Sequence, residues 1–232
     1  MKRFWKDAHL QEAEGGWQVV LDTRPVKTRC GSPQIVPTRD LGELLRAEWA
    51  AAPEEVQPES LPLRDLADRA IDTVSGEREP VVIRLLGFAD GDTLCYRAEP
   101  DEAVARRQSD VWEPIVAGLE SDLGIAFNRT HGIVHKPQPE ATMNTLRQRL
   151  EKDNAFVLAG LDIAASLAAS LCVALAGLAD DADAKDLWAA ANLEEDWQAE
   201  RWGADAEALA RRNAREAEFA RALAFARAAR TA

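Results

Sequence analysis

The run IAASLAASLCVALAGLA, residues 163–179, places seventeen consecutive residues without a charge in the chain. Such a run has two homes, a bilayer or the centre of a packed protein. A membrane span needs about 20 strongly apolar residues. This run is dominated by alanine and is abutted by Asp162, so a buried central helix is the better reading and no membrane insertion is expected. A buried helix requires others around it, and the second part of the chain supplies them. Residues 102–124 carry Val104, Val111, Ile115 and Leu119 at helical spacing. Further helices are predicted over 140–151, over 154–179 as one piece, and over 183–230 in one or more pieces.

The first sixty residues have a different grammar. Two extended runs flank Glu14-Gly15-Gly16, a hairpin signal. A second turn falls at DTRP, where Asp22 can bond nearby backbone and Pro25 fixes φ. PQIVPT offers a short strand, and Thr38 is the N-cap of a helix that must stop before Pro53. LRDLADRAIDTV and EPVVIRLLGFA read as helices, DTLCYRAEP as extended, and IAFNRTHGIVHKPQP as strand or extended loop. The fold class is α+β: a small β-rich amino-terminal domain, residues 1–76, followed by a mainly α-helical carboxy-terminal domain, residues 77–232.

Charge removes whole classes of partner. With 28 basic against 40 acidic residues the net charge is −12, a field that repels phosphate backbones and anionic headgroups, so no nucleic-acid partner is expected. The basic stretch at 210–230 alternates its arginines with Glu216 and Glu218 and reads as a solvated helix face. Cys30, Cys95 and Cys172 are odd in number and far apart, which fits a reducing compartment. The amino-terminal residues contain no apolar core of a secretory signal.

Catalytic motifs are missing. The chain has no G-x-x-x-x-G-K-[ST], no G-x-G-x-x-G and no G-x-S-x-G. HGIVH sets His131 and His135 four residues apart, but Gly132 and Lys136-Pro137 argue against the helix that would join them on one face. In a strand they would lie about 13 Å apart, too far for one metal. We therefore expect no enzyme, no cofactor and no metal. The alternatives are a small-molecule enzyme with unrecognised site geometry and an adaptor protein with another client.

What stands out is LEEDWQAERWGADAEA, residues 193–208, with two of the seven tryptophans in its most charged segment. Positions five apart on a helix differ by about 140°, so Trp197 and Trp202 cannot share one narrow buried stripe. Either neighbouring elements cover both rings, or one ring faces a partner. Trp5, Trp17, Trp49, Trp112 and Trp188 read first as core.

Ordered motifs then match a family. RFWK at 3–6, VVLDTRPVKT at 19–28 (Thr23 where glycine is usual), EWAAAPEEVQPESLPL at 48–63, LADRAID at 66–72, DTLCYRAEP at 92–100, Gln108 with Trp112-Glu113-Pro114, and LEEDWQAERWGADAE run nearly the whole chain. Together they resemble the assembly chaperones of the F-type ATP synthase that hold its alpha subunit, found in mitochondria and alphaproteobacteria. The resemblance implies a non-enzymatic protein that needs no nucleotide and shields the unassembled alpha subunit. It also implies a location in the bacterial cytoplasm, equivalent to the mitochondrial matrix, and a monomer when free. It points to Glu194, Glu195, Trp197, Gln198, Trp202 and Glu207 as partner-binding residues; the angular separation of the two rings adds the expectation that at least one of the two tryptophans is structural. Glu194 has two readings of equal weight: pairing with a basic client group, or capping and dipole compensation at a helix start near Asn192. Where mitochondrial members carry a histidine–aspartate pair, this chain has ALARR at 208–212, so a contact made by that pair is absent or different here.

Overall fold

The computed structural model describes residues 2–132, 134–203 and 205–230. The chain forms two compact units. The first holds the chain up to Val81, Asp153–Gly160 and the chain from Ala224 on; the second holds Val82–Lys152 and Leu161–Leu223.

The first unit is built on the hairpin. Strand β1 (Ala8–Ala13) pairs antiparallel with β2 (Gly16–Leu21), and β2 also pairs with β3 (Arg24–Pro25) and β4 (Ile35–Val36). Gly16 is obligatory, because a Cβ there would sit 2.1 Å from the Val36 carbonyl oxygen. Asp22 turns the chain with φ 55°, and its carboxylate accepts from the amides of Lys6 and Asp7 at 3.1 and 3.0 Å, not from its own turn. Helix α1 (Arg39–Ala51) starts at Thr38, whose hydroxyl accepts from the Leu41 amide at 3.2 Å, and stops before Pro53 as expected. Its Leu41, Leu45 and Trp49 pack under the sheet. The Trp5 indole donates to the Trp49 carbonyl at 3.2 Å, and the two rings meet edge to face at 5.0 Å. Helix α2 (Pro62–Arg69) runs on into a π-helical turn, Ala70–Val74.

Helix α3 (Arg78–Asp90) leads to the second unit. There β5 (Tyr96–Arg97) pairs in parallel with β6 (Thr130–His131), two residues each, so IAFNRTHGIVHKPQP is mostly loop. Helix α4 (Ala105–Leu123) starts three residues later than the periodicity suggests and ends at Gly124, φ 64°. Its buried stripe is also rotated. Gln108, Trp112 and Val116 face inward while Val111 is 36% exposed, because the helix turns its one large ring and a glutamine to the core instead of its valine-rich side.

Helix α5 (Glu140–Lys152) falls on its predicted span, but the charge-free run is not one helix. Helix α6 (Ala155–Ala168) stops at Ala169, φ 49°, and α7 (Leu171–Ala176) restarts with Ser170 as N-cap. The break has a cause in Asp92, which is fully buried. Its carboxylate accepts from the Ser170 hydroxyl at 2.7 Å, the Cys172 amide at 2.9 Å and the Leu94 amide at 3.1 Å. A continuous helix would tie the Cys172 amide into its own ladder instead of presenting it to the carboxylate. Asp162 is covered as well, bonded through both oxygens to Arg84 at 2.6 and 2.7 Å. Helices α8 (Ala184–Ala191), α9 (Leu193–Trp202) and α10 (Ala206–Ala228) complete the chain. No helix among the described residues is long and apolar enough to cross a membrane.

Candidate functional site

Helix α9 is the charged segment with its two tryptophans, and its acids divide by partner. Asp196 pairs with Arg212 of α10 at 2.6 Å, and Glu200 takes both guanidinium nitrogens of Arg107 of α4 at 2.7 and 3.0 Å. The hydrogen bond from Arg107 holds the Glu200 carboxyl below its usual range. With Leu193 buried beneath, these pairs fix the orientation of the helix. Gly203, φ 83°, ends it.

Among the described residues Glu194 has no such cation. It lies in the first turn of α9, where a carboxylate meets the positive helix end. Its carboxylate does not cap the backbone; it accepts from the side-chain amide of Gln108 at 2.5 Å. Gln108 is itself fully buried and uses its carbonyl oxygen for the Ala98 amide at 2.9 Å, so its amide is aimed at Glu194. Burial pushes the Glu194 carboxyl up, the Gln108 bond opposes that in part, and the charge of Glu102 adds to the rise. The Asn192 side chain is turned away, donating to the Trp188 carbonyl at 2.8 Å.

The two rings part company. Trp197 is half-buried, with the guanidinium of Arg201 4.5 Å and that of Arg107 5.8 Å from its ring centre. Trp202 is 78% exposed. A cleft of about 590 Å³ runs between α9 and the segment from β5 to the start of α4. Glu194, Trp197, Gln198 and Trp202 line one side with Arg201, facing Tyr96, Glu102 and Val104 on the other. Four of the six residues singled out in the sequence therefore meet at one cavity. Glu195 is exposed outside that lining, and Glu207 lies in the first turn of α10, paired with Arg211 at 2.5 Å.

Sequence reasoning passed over Glu102, Tyr96 and the supporting role of Gln108. Gln108 was visible as a landmark of the resemblance, but a glutamine in a polar helix carries no sign that it is buried. The two histidines hold separate partners: His131 meets the Ala98 carbonyl at 2.9 Å, and His135 meets the Tyr96 hydroxyl at 2.8 Å and Asp90 at 3.3 Å. No group of three or more potential metal ligands occurs among the described residues.

The fold is α+β, and one of its clefts is lined by aromatic, acidic and basic side chains. The family model for the ATP12 chaperone protein matches residues 2–120, so the chain belongs to the ATP12 chaperone family, the ATP synthase assembly chaperones that its motifs resemble. The mitochondrial protein atp12 of Schizosaccharomyces pombe is 29% identical over 215 residues, spanning 87% of this chain and 74% of its own. The crystal structure of Atp12 from Paracoccus denitrificans superimposes with a TM-score of 0.92 at 33% identity, covering 99% of this chain and 98% of that one. The Atu1473 protein from Agrobacterium tumefaciens gives 0.91 at 36% identity over 98% and 85%.

Proposed function

We propose that this chain holds the unassembled alpha subunit of the F-type ATP synthase and keeps it from aggregating until it joins the beta subunit. The observation that carries this is the cleft: Trp202, 78% exposed, stands at its edge with Trp197, Gln198 and Glu194 beside it. Single exposed apolar side chains are ordinary on a monomer surface, but tryptophan is enriched among protein–protein hot spots, and this one stands at a cleft. The family membership supplies the setting, an ATP synthase subunit as client.

The physics is that of a reversible cover. An unassembled subunit exposes the apolar face it will later bury, and that face aggregates. A chaperone with a few aromatic anchors and a polar rim covers it with modest affinity, and the native neighbour displaces it by mass action. No nucleotide drives the cycle, and calorimetric titration with ATP should give no saturable binding. On this reading the free protein is a monomer of the bacterial cytoplasm.

The test is light scattering of purified alpha subunit diluted from denaturant. Suppression that saturates near one chaperone per alpha subunit, and is relieved by added beta subunit, is the expected result. No suppression of alpha, with suppression of an unrelated aggregating protein instead, overturns the reading.

A further inference from the structure

The cleft carries a charge arrangement that selects what enters it. Two carboxylates line it, Glu102 and Glu194, and neither forms an ion pair among the described residues. Glu194 has only the neutral amide of Gln108, and Glu102 accepts only the Glu99 amide, at 3.1 Å. Neither arginine that lines the cleft is paired with Glu102 or Glu194. Arg97 is turned to Glu113 at 2.7 Å, and Arg201 lies over the Trp197 ring at 4.5 Å. Glu99 and Asp101 flank Glu102 in the chain, and Glu195 follows Glu194, so further acids adjoin both carboxylates in sequence. The same cleft is lined by apolar groups, Val104, Tyr96 and the open face of Trp202.

Glu194 is an exposed residue whose carboxylate meets a neutral amide and no positive charge, so what solvation it loses at the Gln108 contact is not recovered from a cation. Glu194 is held there by a buried glutamine, so it cannot leave the cleft without unmaking the Gln108 bond. An exposed indole face nearby is the surface on which a guanidinium or its aliphatic stem packs. The complement of this arrangement is a basic side chain flanked by apolar ones. A cavity of about 590 Å³ has room for a short stretch of chain, since ligand clefts span about 300–1,000 Å³.

We infer that the cleft is a receptor for an arginine side chain carried on an apolar segment of the client, with Glu102 and Glu194 as the paired acceptors and Trp202 as the stacking face. A planar guanidinium suits this better than an ammonium, because its five donors can meet two carboxylates at once while its face lies on the ring. This rests on the cleft being the client-handling surface, and it adds the chemistry of the part it grips.

The probe is the peptide acetyl-Leu-Arg-Leu-amide, compared with the same peptide carrying citrulline, which keeps the shape and removes the charge. Binding to the full chain is followed by calorimetry at low salt. The arginine peptide should bind about fivefold or more tightly than the citrulline peptide, and the preference should shrink at high salt. In the Glu102→Gln, Glu194→Gln double variant the two peptides should bind alike. Equal binding of both peptides by the wild type, no measurable binding of either, or a preference that survives in a folded double variant overturns the inference. Alpha-subunit protection is scored in parallel. Protection without arginine preference removes this inference and leaves the chaperone reading standing; arginine preference without protection does the reverse.

Discussion

Two groups of acids lie along helix α4, and the protein treats them in opposite ways. Glu113 and Glu120 share Arg129, which reaches Glu113 at 2.7 Å, and Glu113 also takes Arg97 at 2.7 Å. The Phe127 amide adds a bond to Glu120 at 2.6 Å. Near the start of the same helix, Gln108 holds Glu194, and no cation follows. Burial works to raise all three carboxyls. Arg129 overrides it at Glu113 and Glu120, which end below the usual range, whereas Glu194 stays above it. Glu113 and Glu120 are given their counter-charge by the chain itself, and the fully buried Asp92 is closed off by three neutral donors. An acid left with a neutral partner beside an open cleft is available to something outside it.

The tryptophans repeat the contrast, and the largest predicted effect comes from them. Trp112 is fully buried, and its indole donates to the Ala190 carbonyl at 2.8 Å. Trp112→Ala should cost about 3–5 kcal/mol and lower the melting temperature by roughly 10 °C in a chain of this size. Trp202→Ala removes a ring that is 78% exposed, and its cost should stay within about 0.5 kcal/mol. Its loss should appear in client protection instead. Denaturant melts of both variants, run beside the alpha-subunit assay, break the comparison if Trp202→Ala unfolds the protein or Trp112→Ala does not.

Arg129→Met comes next. It leaves Glu113 and Glu120 facing each other without their shared cation. Losing one partner of a buried ion pair costs about 3–5 kcal/mol; with the Arg129 side chain 21% exposed, solvent screening brings the expectation to about 2 kcal/mol. Urea unfolding measures it. A change below about 0.5 kcal/mol would show that the cluster is surface decoration.

The pH dependence separates the two groups by sign. For Glu113 and Glu120 the folded value lies below the unfolded value of 4.5, so their stabilisation is present above 4.5 and is lost as pH falls through the folded values. For Glu194 the folded value lies above 4.5, so ionising it weakens the fold as pH rises from 4.5 through the folded value. The advantage of wild type over Glu113→Gln should therefore hold from about pH 7 to about pH 4.5 and narrow on acidification below that. Glu194→Gln should gain relative to wild type on going up the same range. Parallel slopes for the two variants would remove the distinction.

How much of this was legible beforehand depends on what a residue's role consists of. Gly16 and Thr38 act through local backbone geometry, and their roles could be read from their neighbours in the chain. The hairpin and the first helix followed. Val111 and the helix break at Ala169 could not be read that way. The phase of α4 is set by which of its residues other helices accept, and the break is imposed by Asp92, over seventy residues away in sequence. The candidate site divides similarly. The arithmetic of five-residue spacing separated Trp197 from Trp202, but that Trp202 is the open one depends on Arg107 and Arg201 covering its neighbour. Glu102 carries no local signal at all, being one acid among 40 acidic residues until the fold sets it across from Glu194.

The smallest expected effect on stability is the most informative about function. Glu194→Gln keeps the shape of the side chain and removes its charge. The amide oxygen can still accept from Gln108, so the contact that orients the start of α9 against α4 survives. Arg107–Glu200 and Arg212–Asp196 continue to hold the helix. The melting temperature should stay within about 2 °C of wild type at neutral pH, because substitutions at such positions stay within about 0.5 kcal/mol. If Glu194 grips a basic group of the client, protection of the alpha subunit should fall several-fold while the fold is untouched. If the carboxylate serves only the helix dipole, the charge is worth about 0.3–1 kcal/mol of stability and nothing in protection. A variant that melts with wild type and protects as well as wild type does would remove Glu194 from the mechanism, and leave Trp202 as the residue on which the proposed function of the cleft rests.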